Sequence, residues 1–380
     1  MIRSGGRIFI SILILIVFSI QGFALGVGTT GANYLKIDTG ARSSALGSAY
    51  VGLADDLNAL YWNPAGIAHF PYAAIDTMQL NWLAGISQQQ ISGVYPLGNF
   101  GVIGGYYSSL TTPYDRETTY SGNNYYVTGK SFNSEIKLIN LTYAKKLSSK
   151  LSIGLGLKRI EERLFDVKKE GLGLDAGLLY QGLILPDLSL GLVLQNYSLT
   201  PLRSDEPLPQ TVILGAAYSF KLLGSQRLTV LGDISFPVDN DKYYGIGVEY
   251  ELNRYLAFRI GYKDKVGTTL GGGLSFGQLK LNYAYVPYGD LGSTYRVSVG
   301  YDFGNDEAIF READKKEEEK IEMPKTDAEL FEEKKEEIIE TTQNIEVEVK
   351  EENIEEVDIE EEEEVTGSVN EELDDLFADK

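Results

Sequence analysis

The chain has 380 residues, one His, no Cys and a formal net charge of −21. That charge is not spread evenly: residues 304–380 carry 9 basic and 32 acidic side chains, whereas residues 25–303 balance at 23 against 23. All 25 Tyr and 39 of the 41 Gly precede residue 304, so the chain is a Gly- and Tyr-rich body followed by an acidic segment, and neither part has the basic footprint of a nucleic-acid binder. Residues 1–24 read as a signal peptide: Arg3 and Arg7, an apolar run over 8–20, then the small-x-small step Gly22-Phe23-Ala24. An uncleaved anchor is the alternative, but the run is short for a spanning helix.

Residues 25–72 form the next segment. Residues 41–51 are rich in Ala and Ser, with Ala45, Leu46, Ala49 and Tyr50 at helical spacing. Asp55 or Asp56 could cap a second short helix through Leu60. Asn63-Pro64 would end it, because the residue before Pro disfavours the α region, and Gly66 permits a turn. The stretch is too small to bury its own core, so Leu57, Leu60, Tyr61, Trp62 and Ile67 need an external surface. An ordinary helix-stop turn without a gating role is the plain alternative. His69 reads as structural.

From residue 75 to 303 the apolar period is two. In "QLKLNYAYVPY" Leu279, Leu281, Tyr283 and Tyr285 share one face; in "YYGIGVEYEL" Tyr244, Ile246, Val248 and Tyr250 do. Turn signals divide this region into fourteen strands: 75–84, 86–95, 99–109, 132–144, 150–164, 170–181, 188–197, 209–220, 226–236, 242–252, 254–263, 267–276, 278–287 and 293–303. Most have the length, about ten residues, with which a tilted strand crosses a bilayer. A soluble sandwich would carry a charged outer face. Here the second face is Gly, Ser, Asn, Thr and single charges, and the apolar face ends in Tyr or Phe. The expectation is an all-β, antiparallel transmembrane barrel with its apolar face toward outer-membrane lipid and its second face toward the lumen. On this reading an Arg at Val248 or Tyr283 should harm assembly more than one at Gly247 or Asn282. The two longest connections, 109–131 and 198–208, fall at the same end. The last strand, "STYRVSVGYDF", resembles the terminal signal read by the barrel-assembly machinery.

"GARSSALGSAYVGLADDLNALYWNPAGIA", residues 40–68, is similar to the opening of FadL-type and PorV/PorQ-type outer-membrane barrels, with its small-residue run, Asp55-Asp56 and Asn63-Pro64-Ala65-Gly66. The resemblance implies fourteen strands and an N-terminal helical plug, or hatch, anchored by Asn63, Pro64, Ala65 and Gly66. It also implies two functions. FadL-like proteins pass hydrophobic small molecules across the outer membrane; PorV-like proteins serve secretion or envelope assembly through protein partners.

Residues 304–380 are too charged to bury a core, and disorder in the periplasm is the expectation. Leu373, Leu376 and Phe377, set in acid, form a candidate docking peptide for a periplasmic or secretion partner. No residue set suggests catalysis, a cofactor or a metal: the lone His69 lies outside the strands, and the spaced acidic loop of a Ca²⁺ site is missing.

Overall fold

The computed structural model describes residues 26–183, 185–203 and 206–304. The signal-peptide segment, the acidic segment beyond Gly304 and the trio Leu373, Leu376 and Phe377 lie outside them.

Among the described residues sixteen strands form: β1 Ala74–Asn81, β2 Ser87–Pro96, β3 Val102–Thr111, β4 Asp115–Ser121, β5 Asn124–Phe132, β6 Ser134–Lys146, β7 Leu151–Leu164, β8 Val167–Gln181, β9 Leu188–Thr200, β10 Thr211–Lys221, β11 Arg227–Pro237, β12 Tyr243–Glu251, β13 Leu256–Lys263, β14 Gly267–Phe276, β15 Leu279–Pro287 and β16 Ser293–Asp302. Fourteen of them, all but β4 and β5, pair antiparallel around a closed barrel. Closure is by β1 against β16, in register from Ala74 opposite Asp302 to Asn81 opposite Tyr295. It leaves no unpaired backbone edge, the condition for a sheet to sit in hydrocarbon.

Alternation decides the faces. Ile75, Ile91, Leu141, Ile246, Phe258 and Ile260 stand outward and exposed, while their neighbours Ser92, Asn140, Glu249 and Arg259 point inward and are buried. Tyr95, Phe220, Tyr255, Phe276 and Phe303 ring one end of the outer surface, and Tyr197, Tyr244, Tyr262 and Tyr295 the other. These are the two aromatic girdles of a membrane barrel. Between them Gly93 of β2 faces Gly105 of β3, and the missing side chains leave an apolar groove of about 760 Å³ on the lipid-facing wall.

Two features depart from the sequence reading. Residues 109–131 are not a plain loop: β4 and β5 form a separate hairpin there. Its tip, Gly122-Asn123, has φ of 56° and 71°, the two-residue turn with both central residues left-handed that suits a tight hairpin. Strand β9 also runs on to Thr200, because the β8–β9 ladder shifts register between Leu172 and Gly173 and again between Leu174 and Ala176. Each extra residue breaks strict alternation but lets the ladder continue beyond it, past the boundary at 197 that the turn signals set.

Residues 30–70 lie within the barrel, against the inner wall. Only short elements form: helix α1 at Ala41–Ala45, helix α2 at Ala59–Trp62, and 3₁₀ turns at Asn33–Lys36 and Pro64–His69. They share one apolar core with the wall, in which Leu46, Tyr50, Leu60 and Ile67 from inside meet Val94, Leu138, Ile160 and Ile213 from the strands.

Candidate functional site

The segment threads the barrel from mouth to mouth. At the end carrying the long connections, Gly31 N–H donates to Pro207 O at 3.0 Å, and Thr30 and Lys36 both reach Asp239. At the other end His69 meets Ser152 at the start of β7, Nε2 to Oγ 2.9 Å. The chain then enters β1.

Glycine explains how a backbone can lie flat on the wall between these ends. A Cβ on Gly191 would stand 2.2 Å from Val51 O; on Gly247, 2.5 Å from Leu46 O; on Gly261, 2.0 Å from Gly47 N. On Gly154 it would stand 2.3 Å from the Pro64 carbonyl carbon, and on Gly177 2.2 Å from Asn63 Oδ1. Inward glycines whose Cβ would run into backbone, Cβ or Pro64 ring atoms of this segment lie on β7–β10 and β12–β14, while Gly104 of β3 approaches only the Leu60 side chain. Asp233 continues the seat on β11, its Oδ2 accepting from Tyr50 N at 2.7 Å and Val51 N at 2.8 Å. This corrects the expectation for Gly247. An arginine there is not a mild lumenal change, because it would strike the backbone of the segment. Asn282 is not open either, since its Oδ1 accepts from Arg259 Nη1 at 2.8 Å.

Charge supplies a second fastening. Glu249 of β12 is fully buried and accepts from Arg42 Nη2 at 2.6 Å and Nε at 2.8 Å, and from Arg259 Nε at 2.5 Å. Arg42 also donates to Asp55 at 2.6 Å, to Asp56 at 3.2 Å and to the Tyr50 hydroxyl at 3.1 Å. The buried Arg42 charge is met by the carboxylates of Asp55 and Glu249, both at 2.6 Å. One guanidinium thus ties α1, the Asp55-Asp56 turn and the wall together. A buried charge set is stable only when all its members are present.

The structure places the sequence-predicted residues as follows. Asn63 is fully buried, and its Nδ2 donates to Val51 O at 2.9 Å and to Leu178 O of β8 at 3.1 Å, while its Oδ1 accepts from Ala65 N at 3.1 Å. It closes α2 and opens the Pro64–His69 turn, with Pro64 in the first position, where its missing N–H costs nothing. Gly66 does not supply a left-handed turn. It is needed for close packing, since a Cβ there would lie 2.0 Å from Ala54 O. Asp55 and Asp56 do not cap α2 directly. Asn58 is its N-cap residue and makes no side-chain capping bond; Asp56 Oδ1 instead accepts from the Asn58 backbone N–H at 2.8 Å, and Asp55 pairs with Arg42. The sequence sets Glu249, Arg259 and glycines such as Gly247 on the inward face without pairing the charges, and it singles out neither Arg42 nor Asp233.

His69 is held neutral: burial, with Lys146 nearby, lowers its pKa from 6.5 to about 4. The unfolded chain therefore binds a proton between those values when the folded chain does not. The contribution of this contact is complete above about pH 6.5 and is lost as the pH falls toward 4. Dye leakage through membranes bearing the protein should rise between pH 7 and pH 4.5. His69→Gln, which keeps a partner for Ser152 but does not titrate, should flatten that dependence; an unchanged slope would remove His69 as its source.

No family model matches the chain, and no curated protein matches it. Solved barrels do. The toluene transporter TbuX of Ralstonia pickettii is 15% identical with a TM-score of 0.48, over 70% of this chain and 98% of that one. The Pseudomonas putida toluene transporter TodX gives 14% and 0.43 over 70% and 97%, and a Pseudomonas aeruginosa FadL homologue 12% and 0.43 over 70% and 98%. At this distance the likeness assigns no function.

Proposed function

We propose that this chain is a plugged outer-membrane barrel that passes small hydrophobic molecules, with residues 40–70 as the hatch. One observation carries the reading: the inner segment sits off-centre. It is seated on glycines and Asp233 along β7–β14, while the arc of β2, β3 and β6 meets it mainly with side chains, Gly104 of β3 being the one inward glycine of those three strands. A segment fastened on one side of a lumen can give way on the other without breaking the barrel. On this reading the short turns, the start of β1 and the end of β16 face the periplasm, and the exposed Tyr301 and Phe303 suit recognition by the barrel-assembly machinery. The secretion-component reading rests on the resemblance of residues 40–68 and on the acidic segment, which lies outside the described residues, and nothing in the described barrel favours it.

Deleting residues 40–60 tests the hatch. The variant should still show the slower mobility on boiling that marks a folded barrel, and it should admit a dye that the intact outer membrane excludes. Changing Asn63-Pro64 to Ala-Ala should give a smaller leak of the same kind. A deletion variant that folds in the membrane with unchanged permeability would leave these residues as a mere leader to β1.

A further inference from the structure

The inner face of β2, β3 and β6 concentrates buried polar atoms that have no hydrogen-bond partner. They are Gln88 Oε1, Gln90 Oε1, Tyr106 OH and Asn140 Nδ2, with Thr39 Oγ1 facing them from the segment inside the barrel. Each of these residues is more than nine-tenths buried. They are neighbours, not scattered exceptions: Gln90 lies opposite Ser108 in the β2–β3 ladder, and Tyr106 opposite Asn140 in the β3–β6 ladder. Gln88 Nε2 donates to Ser108 Oγ at 2.8 Å, so its other amide atom alone is left over. Buried polar groups almost always find partners. An orphaned group costs about 1–3 kcal/mol, so several in one patch mark a place built to receive something. On the side toward the long connections the same wall turns apolar, with Leu110, Ile136 and Leu138 facing Leu35, Ile37 and Tyr61. The cavity between the inner segment and this wall holds about 20 Å³, room for a single water.

We infer that this arc is the solute-binding face of the lumen, and that its solute is a small uncharged molecule with an apolar body and a group able both to donate and to accept hydrogen bonds. This inference rests on the transport reading above and narrows it. The apolar patch takes the body; the orphaned amides and hydroxyl take the polar end. No charge is called for, because Lys158, the cation beside Asn140 in the β6–β7 ladder, is already paired with Asp175 at 2.7 Å. Residues 33–39 must move aside for any solute larger than water. A bare hydrocarbon of the same size would leave the polar atoms unpartnered, and a site built for a hydroxyl discriminates against an analogue that lacks it.

The test uses the full-length protein in lipid nanodiscs, titrated calorimetrically with p-cresol and with p-xylene, with empty nanodiscs as the blank. Wild type should bind p-cresol saturably and at least about tenfold more tightly than p-xylene. Tyr106→Phe with Gln90→Leu should remove most of that preference while the barrel keeps its heat-modifiable mobility; Tyr106→Phe alone, which changes one hydroxyl, guards against a folding defect in the pair. Equal affinities in wild type, no saturable binding of either, or a preference untouched by the variants would each overturn the inference. Selective binding by a protein that moves no solute would instead reject the transport reading and keep the site. Flux without selective binding would do the reverse.

Discussion

Gly261→Val should lose most of the folded protein, because a segment that is present but cannot seat obstructs closure of the wall, an obstruction that the 40–60 deletion removes and Arg42→Ala does not create. The new Cβ alone would lie 2.0 Å from Gly47 N and 2.3 Å from Leu46 C, both backbone, so no rotamer change relieves it. The wall cannot retreat without breaking the β12–β13 and β13–β14 ladders, in which Gly261 lies opposite Gly247 and Thr269. The measurement is the fraction of heat-modifiable barrel in the outer membrane. Val248→Arg and Tyr283→Arg provide the comparison, because those side chains face lipid, where an arginine near the midplane costs about 2–4 kcal/mol. Gly261→Val should be at least as damaging as either, although it adds only two methyl groups on a Cβ. Near-normal yield with an intact permeability barrier would mean that the segment does not press on the wall as described.

Arg42→Ala should spare the barrel and open it. It removes the guanidinium shared by Glu249, Asp55 and Asp56, and it leaves Glu249 in a buried site with Arg259 as its remaining cation. Breaking a buried ion pair from one side costs about 3–5 kcal/mol, which falls on the docking of residues 41–56, not on the strand ladders. The expected result is a normal amount of heat-modifiable protein together with marked entry of an excluded dye. Arg42→Lys should rescue little, since one ammonium cannot reproduce the planar fork that reaches two carboxylates at once. If Arg42→Ala folds and stays tight, the glycine seat alone holds the segment.

The two variants act on different fastenings. Steric contact with glycines sets where the segment lies, and the buried charges set how firmly it stays. The His69–Ser152 contact adds a third fastening at the periplasmic foot on the proposed orientation, and it is the one that acid weakens.

The barrel was legible in the sequence because a two-residue period, repeated over strands of membrane-crossing length, is a local signal. Leu279, Leu281 and Tyr283 announce a lipid face from their spacing alone, and fourteen such stretches with turn residues between them give the closed count. Local chemistry also placed Asn63-Pro64 at the end of a short helix. The hairpin at 115–132 was missed although Gly122-Asn123 is a turn signal, because it lies inside a connection and does not extend the wall. The bulges of β9 were missed because an inserted residue erases the periodicity by which strands are found.

What only the tertiary structure decided is which inward residues meet. Arg42 and Glu249 are 207 positions apart, and no spacing rule pairs them. Gly191 and Gly261 look alike in sequence to the outward Gly93 and Gly105; closure of the barrel and the path of residues 45–65 make the first two a seat and leave the second two over a lipid-facing groove. The unpartnered Gln88, Gln90, Tyr106 and Asn140 become a patch only when β2, β3 and β6 lie side by side, which requires the chain to skip β4 and β5. Alternation is a property of each strand and survives in the sequence; adjacency across a lumen is created by closure, and it has no local trace to read.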